Sequence, residues 1–355
     1  MGSEAHGSAG CEAPASRWLR RAWTLPLYAA LWVASVALLP LLLAGALAAD
    51  LARGARKLPL VRLAVFAPIF FTAEAVGLAA AFAVWLAAGA GRLVPRARFL
   101  AWNFRLQCLW ARALLAAARR VFDLGLEIEG DALATPGPLL VLPRHASLAD
   151  VLLPAVLLSD RHGLRLRWVM KRELLVDPCL DVVGSRLRNA FVLRDAGRNE
   201  REIAAVVQLA GALSGRDGVL LYPEGTRASA AKRARALARI GAGAEAERVP
   251  RLRALRHLLP PRTGGALALL AAAPDADVLL LGHVGLEGLA TLRDLLDGTI
   301  VGRRIEVRYW RHAARDVPRE RSAALAWLDA RWLELDAWVD ARLRALPGAR
   351  EAAVA

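Results

Sequence analysis

An uncharged stretch from Thr24 to Ala49 is followed almost at once by a second apolar stretch from Leu63 to Gly91, which carries one charge, at Glu74. A helix needs about 20 apolar residues to cross a bilayer core, and both stretches are long enough. Only a short basic connector with Arg53, Arg56 and Lys57 separates them, so the pair reads as a hydrophobic helical hairpin. Pro26, Pro40 and Pro68 leave open a kinked hairpin that dips into one leaflet instead of spanning. Arg17, Arg20 and Arg21 precede the hairpin, and Arg92, Arg96, Arg98 and Arg105 follow it. By the positive-inside rule both outer ends, and whatever follows, are placed in the cytoplasm, at an inner or plasma membrane. The competing reading of the first stretch is a signal peptide with an Ala46-Leu47-Ala48 cleavage site, but the run is longer than the ~7–15-residue core of such a peptide. Glu74 is either a functional intramembrane carboxylate or a neutral one at an interface.

Hydrophobic residues make up 56% of the chain, with the excess near the N-terminus, and the net charge is +15. Such a balance draws a protein to anionic surfaces. No DNA- or RNA-binding motif accompanies the charge, so the expected partner is the lipid bilayer and not nucleic acid. Cys11, Cys108 and Cys179 have no spacing that suits a disulfide framework or a metal site, and no metal is expected.

Beyond the hairpin the pattern changes. Short β-rich runs at Val121–Glu129, Leu139–Leu142, Leu166–Val169, Ala190–Leu193, Val219–Leu221, Val278–Leu281 and Ile305–Tyr309 alternate with helical ones, which is α/β patterning. The chain divides into a polar tail (1–16), the membrane hairpin and its basic connector (17–115), an α/β domain (116–315) and a C-terminal segment (316–355). In the last, Leu325, Leu328, Trp332, Leu335, Val339 and Leu343 recur at helical spacing and predict an amphipathic helix packed on the domain. The Ala- and Arg-rich stretch from Arg227 to His257 reads as a solvated helix in preference to an arm on the lipid surface.

Candidate chemistry follows the strand Leu139–Leu142, where Pro143-Arg144-His145-Ala146-Ser147-Leu148-Ala149-Asp150 leads into an apolar run. α/β proteins place ligands where a strand ends and a helix begins. Ser147 and Asp150 match a helix capping box, which accounts for both residues without catalysis but leaves His145 unexplained. With His145 in the loop and Asp150 in the first helical turn, the carboxylate can meet one imidazole nitrogen and leave the other free as a general base. A histidine titrates near ~6.5, which suits that role. After Val219–Leu221 comes Tyr222-Pro223-Glu224-Gly225-Thr226-Arg227: a tight turn at Gly225, donors at Thr226, and in Arg227 a planar fork suited to phosphate. An ordinary surface turn with a Glu–Arg pair explains the hexapeptide equally well. Arg194, at the end of the strand Phe191-Val192-Leu193, and Lys171, in Lys171-Arg172-Glu173-Leu174, are weaker candidates. There is no GxSxG elbow and no cysteine beside a plausible base, so direct attack is simpler than an acyl-enzyme.

In this order and spacing the segments resemble the glycerolipid acyltransferase family, which includes lysophosphatidic acid acyltransferases. His145, Ser147 and Asp150 match its His-four-residues-Asp block. Gly184, Phe191 and Arg194 match its second block, and Pro223 to Arg227 its third, while Val278–Leu281 meets the fourth loosely. Lys171 to Leu174, the Leu258–Gly265 segment with its Pro-Arg-Thr-Gly, and Trp327 and Trp332 look like the lysocardiolipin branch. Arg144 stands where the family often has Asn. The resemblance implies a mixed sheet flanked by helices behind the hairpin. It makes His145 a general base on a glycerol hydroxyl and Asp150 its orienting partner. Lys171, Arg194, Glu224, Gly225, Thr226 and Arg227 become binding and structural residues for a phosphate-bearing lysophospholipid. It further implies acyl-CoA or acyl carrier protein as donor, and no cofactor.

Overall fold

The computed structural model describes residues 14–192, 199–287, 289 and 293–345. Helices α1 (Pro14–Ala37) and α2 (Leu39–Ala52) together hold the first apolar run, and α3 (Pro59–Ala87) and α4 (Arg96–Phe122) follow. The first run is therefore not one helix: it bends by 71° between α1 and α2. The bend falls at Pro40, in the first turn of α2, which has no N–H for the preceding turn and whose ring crowds that turn's carbonyl, whereas Pro26 and Pro68 are carried inside α1 and α3. α3 is long and apolar enough to cross a membrane, and only 17% of its apolar window is buried, unlike a core helix. Trp18, Trp23, Trp32, Leu41, Phe82 and Leu86 are all exposed on this helical group, an apolar surface of the kind that marks a membrane-contact face.

The domain that follows is built on a seven-stranded sheet in the order β1-β7-β6-β2-β5-β3-β4. Its strands are β1 (Gly125–Glu129), β2 (Leu139–Pro143), β3 (Arg165–Lys171), β4 (Ala190–Val192), β5 (Asp217–Leu220), β6 (Asp277–Val284) and β7 (Arg304–His312). All neighbours are parallel except β6 and β7, so the sheet is mixed, as the sequence suggests. Each expected strand is present. The first is shorter than the pattern predicts, because Val121 and Phe122 end α4 and Asp123, at φ 55°, breaks the chain out of the helix. Leu193 lies outside the described residues.

The strands read as unbroken apolar runs because both faces are covered. Side chains alternate along a strand, so Leu140, Leu142, Val278 and Leu280 enter one core while Leu139, Val141, Leu279 and Leu281 enter the other. Against the second core stand α4 and the π-helix Ala155–Asp160, which continues the short α5 (Leu152–Pro154). On the first face lie α6 (Asn199–Leu209), α9 (Thr263–Ala272) and the long C-terminal helix α11 (Arg321–Ala345). Between β5 and α9 run α7 (Ala230–Gly241) and α8 (Val249–Leu252), and α10 (Arg293–Leu296) follows β6. In α11, Leu328, Trp332, Leu335 and Val339 are buried, as their spacing predicts.

The arginine-rich stretch departs from its expected character at one point. Arg248 is 1% exposed. Its guanidinium makes a two-pronged contact with Asp329 of α11, Nε to Oδ2 at 3.0 Å and Nη2 to Oδ1 at 2.6 Å, and also pairs with Glu245. It is thus a buried tie between the stretch and the C-terminal helix, which composition alone cannot distinguish from a solvated charge.

The apolar helices are fastened to the domain along their whole course. Arg20 and Arg21 of α1 both pair with buried Asp181. Arg53 and Lys57 of the connector donate to the carbonyls of Leu296 and Val301. On α3, Arg62 donates to the carbonyl of Val121, Glu74 accepts from Trp110 and from the backbone N–H of Cys179, and the carbonyl of Ala81 accepts from Arg186. Glu74 is therefore buried where α3 packs on α4 and the Cys179 segment, and does not face a membrane interface.

Candidate active site

β2, β5 and β6 are parallel neighbours, so the segments after all three emerge at one edge of the sheet, where a parallel α/β sheet collects its functional loops. After Pro143 the chain does not enter a helix directly. Residues 147–151 form bends and turns, and regular helix starts only at Leu152. Asp150 shapes this loop: its Oδ2 accepts from the backbone N–H of Ala146 at 2.7 Å and of Ser147 at 2.8 Å. Ser147 Oγ in turn accepts from Ala149 N at 2.8 Å. One half of a capping box is therefore present, Asp150 reaching back to the N–H of Ser147, while the serine hydroxyl takes Ala149 N instead of Asp150 N and no regular helix begins at Ser147. The fold-back also puts His145 Nδ1 3.2 Å from both carboxylate oxygens of Asp150. Both contacts expected of Asp150 are made at once, because each amide reaches Oδ2 while the imidazole straddles the pair.

With Nδ1 turned to Asp150, Nε2 of His145 is the outward nitrogen, and the side chain keeps 14% exposure in an otherwise buried setting. The ring rests against Tyr222, with centroids 4.6 Å apart. Burial works against a charge on Asp150, yet the donations from His145 and from a second histidine, His283, outweigh it and hold the carboxyl well below the usual range. The pair is a fixed carboxylate with an oriented imidazole.

His283 has no part in the sequence expectations. It lies in β6 beyond Leu281, is 1% exposed, and sets Nε2 3.6 Å from Asp150 Oδ2 and 3.3 Å from the carbonyl of Arg144. Its Nδ1 meets no hydrogen-bond partner among the described residues. Arg144, also buried, donates to the carbonyl of His283 and pairs with Glu287. Burial opposes the Glu287 charge, but Arg144 prevails and lowers its pKa. Arg144 is thus the centre of its own network, which ties the His145 loop to the end of β6. A histidine at the carboxyl end of a strand was the available signal; seeing its use requires knowing that β6 lies beside β2.

The turn after β5 completes the site. Glu224, 2% exposed, accepts from the backbone N–H of His145 at 2.8 Å and of Leu259 at 2.9 Å, one on each oxygen. Burial pushes its carboxyl up to about 8, against the pull of these two amides. Glu224 therefore braces the His145 backbone instead of presenting an open carboxylate. Gly225 has φ 64°, and a Cβ there would come within 2.9 Å of Arg262 Nε, so glycine serves both the turn and the close approach of Arg262. Thr226 Oγ1 accepts from Lys232. The N–H of Ala228 donates to the carbonyl of His145 at 3.0 Å, which sets Arg227 beside the histidine. Nη1 of Arg227 is buried and has no hydrogen-bond partner among the described residues. Lys171 is the last residue of β3, at the same sheet edge one strand beyond β5. Arg194 lies outside the described residues. Among the described residues no cluster of His, Cys, Asp or Glu has the makings of a metal site.

Residues 125–280 match the family model described as Acyltransferase. No curated protein matches the chain. Among solved structures, the 1-acyl-sn-glycerophosphate acyltransferase PlsC from Thermotoga maritima is similar over 78% of this chain and 99% of that one, at 10% identity and a TM-score of 0.45, too distant a likeness to bear on chemistry. The matched residues span β1 through the first half of β6 and so include the His145 loop and the Glu224 turn, and the chain is accordingly an O-acyltransferase with its acyltransferase domain over these residues.

Proposed function

We propose that this enzyme transfers a fatty-acyl chain from a thioester donor, acyl-CoA or acyl carrier protein, to the sn-2 hydroxyl of lysophosphatidic acid, giving phosphatidic acid. The observation that carries the reading is the His145–Asp150 pair, with Nδ1 held 3.2 Å from the carboxylate and Nε2 turned outward. Nε2 takes the hydroxyl proton as the oxygen attacks the thioester carbonyl. Asp150 stabilises the imidazolium that forms. When the tetrahedral intermediate collapses, the carbon–sulfur bond breaks and the imidazolium returns its proton to the departing thiolate, so the base is regenerated. A base placed in this way contributes about 10²–10⁴-fold. The scheme requires no metal or organic cofactor. Arg227, with donor capacity to spare at Nη1, is the residue best suited to the acceptor's phosphate, and Lys171 and Thr226 lie at the same edge.

The same reading puts the enzyme on one face of a membrane. The connector between α2 and α3 is bonded to Leu296 and Val301, and α1 to Asp181. A hairpin that crossed the bilayer would carry that connector to the opposite side from the domain, so these contacts favour helices that lie in one leaflet with their exposed tryptophans and leucines in lipid. By flanking charge that leaflet faces the cytoplasm.

Incubating membranes that contain the full chain with acyl-CoA and a panel of lysolipids tests the chemistry. Transfer to lysophosphatidic acid that disappears in His145→Ala supports it; no transfer to any acceptor, or full activity in His145→Ala, refutes it.

A further inference from the structure

α7 carries Lys232, Arg235 and Arg239 at i, i+3 and i+7, a spacing that puts them on one helix face. This face is not simply solvated. With Arg262, Thr226 and Leu259 it lines a pocket of about 270 Å³ whose inner wall is Glu224, the residue that braces the backbone of His145. Arg262 reaches it by lying over Gly225, where a side chain would block it. Lys232 is held at the inner end by Thr226 Oγ1 and the carbonyl of Arg227. Arg235 and Arg239 stand exposed at the outer end.

We propose that this pocket binds the phosphates of the acyl donor, and that the donor is a coenzyme A thioester. The proposal rests on the acyltransferase reading above and assigns its second substrate a place. Four cations exceed what the phosphate of a lysophospholipid needs, at roughly −1.5 to −2 charge, but they suit a nucleotide that carries both a diphosphate and a further phosphate. The volume is too small for a whole nucleotide thioester and fits its phosphate-bearing part, because pockets that enclose a drug-sized ligand run to about 300–1,000 Å³. Access agrees as well. The principal neighbours of α7 are the Ala246–Arg248 turn and α8, not the apolar helices α1 to α3. The exposed end of the pocket, at Arg235 and Arg239, thus lies on an element apart from the apolar helices, which suits a soluble donor better than a lipid acceptor.

The test uses the full chain in detergent micelles and coenzyme A, the free thiol, as titrant in calorimetry. Removing one charge-assisted hydrogen bond weakens binding about tenfold or more, so Arg235→Ala/Arg239→Ala weakens coenzyme A binding by about 100-fold. Lysophosphatidic acid binding stays within twofold, and Arg233→Ala, off the pocket face, binds coenzyme A as the wild type does. In the transfer assay the double variant raises KM for acyl-CoA and not for the lysolipid. Loss of lysolipid affinity with coenzyme A binding intact assigns the pocket to the acceptor and overturns the proposal. Equal binding by double variant and wild type, or no binding of coenzyme A by the wild type, overturns it too. Binding is read without turnover, so failure of the acyltransferase reading shows separately, as absence of transfer from the wild type with every donor and acceptor.

Discussion

Replacing Asp150 with Asn separates the two jobs this residue holds. Both loop amides bond to Oδ2, so an asparagine whose carbonyl oxygen takes that place keeps the fold of the loop. Its amide then occupies the position of Oδ1 and presents N–H groups to His145 Nδ1. That nitrogen must become an acceptor, the ring proton moves to Nε2, and the outward nitrogen can no longer accept one. The loss has two sources of similar size. A unit charge about 4 Å from a developing imidazolium is worth about 4 kcal/mol at an effective dielectric near 20, and a wrong tautomer in a serine-protease triad costs about 10⁴ in kcat. These describe one interaction and are not summed. The expected fall in kcat is therefore about 10³–10⁴-fold, or about 4–5.5 kcal/mol, with KM for the lysolipid within about threefold. The assay is initial-rate release of free thiol from acyl-CoA with lysophosphatidic acid in mixed micelles, alongside the thermal midpoint of each variant. A kcat within tenfold of wild type in a folded Asp150→Asn protein would refute the argument and leave Asp150 as a loop brace alone. Asp150→Ala, which loses the amide bonds as well, is expected to lower the thermal midpoint further than Asp150→Asn.

Other expectations follow from the same geometry. His283→Leu removes the second histidine, whose Nε2 stands 3.6 Å from Asp150 Oδ2, and is expected to lower kcat about threefold, the worth of a weak polar contact of ~0.6 kcal/mol, while substrate KM values hold; unchanged kcat would make His283 a packing residue. Gly225→Ala puts a Cβ on a backbone with φ 64° and within 2.9 Å of Arg262, so a loss of about 1–2 kcal/mol in stability is expected in denaturant melts, with a higher KM for the donor. Asp329→Ala takes the two-pronged partner from buried Arg248 and leaves it Glu245 and the Pro261 carbonyl, so a cost of about 3 kcal/mol, the low end for a broken buried pair, is expected as a lower thermal midpoint. Asp181 lies below its usual range because Arg21 and Arg20 outweigh its burial, and Asp150 and Glu287 are lowered too. Carboxyls depressed in the folded state stabilise it fully above their unfolded values near ~4 and lose that contribution as pH falls through the folded ones. On their account the thermal midpoint should drop below about pH 4, less steeply in Asp181→Asn, whereas Glu224, raised to about 8 by burial, acts in the opposite sense and lowers the midpoint as pH rises from about 4 toward 8.

What local sequence determines here is whatever depends on neighbours along the chain. The strand runs, the C-terminal helix and the turn at Gly225 follow from periodicity and backbone freedom, and the His145–Asp150 contact spans five residues, short enough for one loop to close. Pro26, Pro40 and Pro68 were alike in allowing a kink, and only the folded chain shows that the break falls at Pro40. Tertiary structure decided what depends on strand order and docking. His283 reaches Asp150 because β6 lies beside β2, an adjacency that residues so far apart in the chain do not announce. Glu224 looks like a ligand beside Thr226 and Arg227, and only the approach of Leu259 and His145 turns its carboxylate inward. Among so many arginines, composition assigns none a role: Arg248 is sealed against Asp329 and Arg144 against Glu287, while Arg235 and Arg239 are left at the mouth of a pocket. A charge owes its role to its partners and its distance from water, and both are set only when the chain is folded.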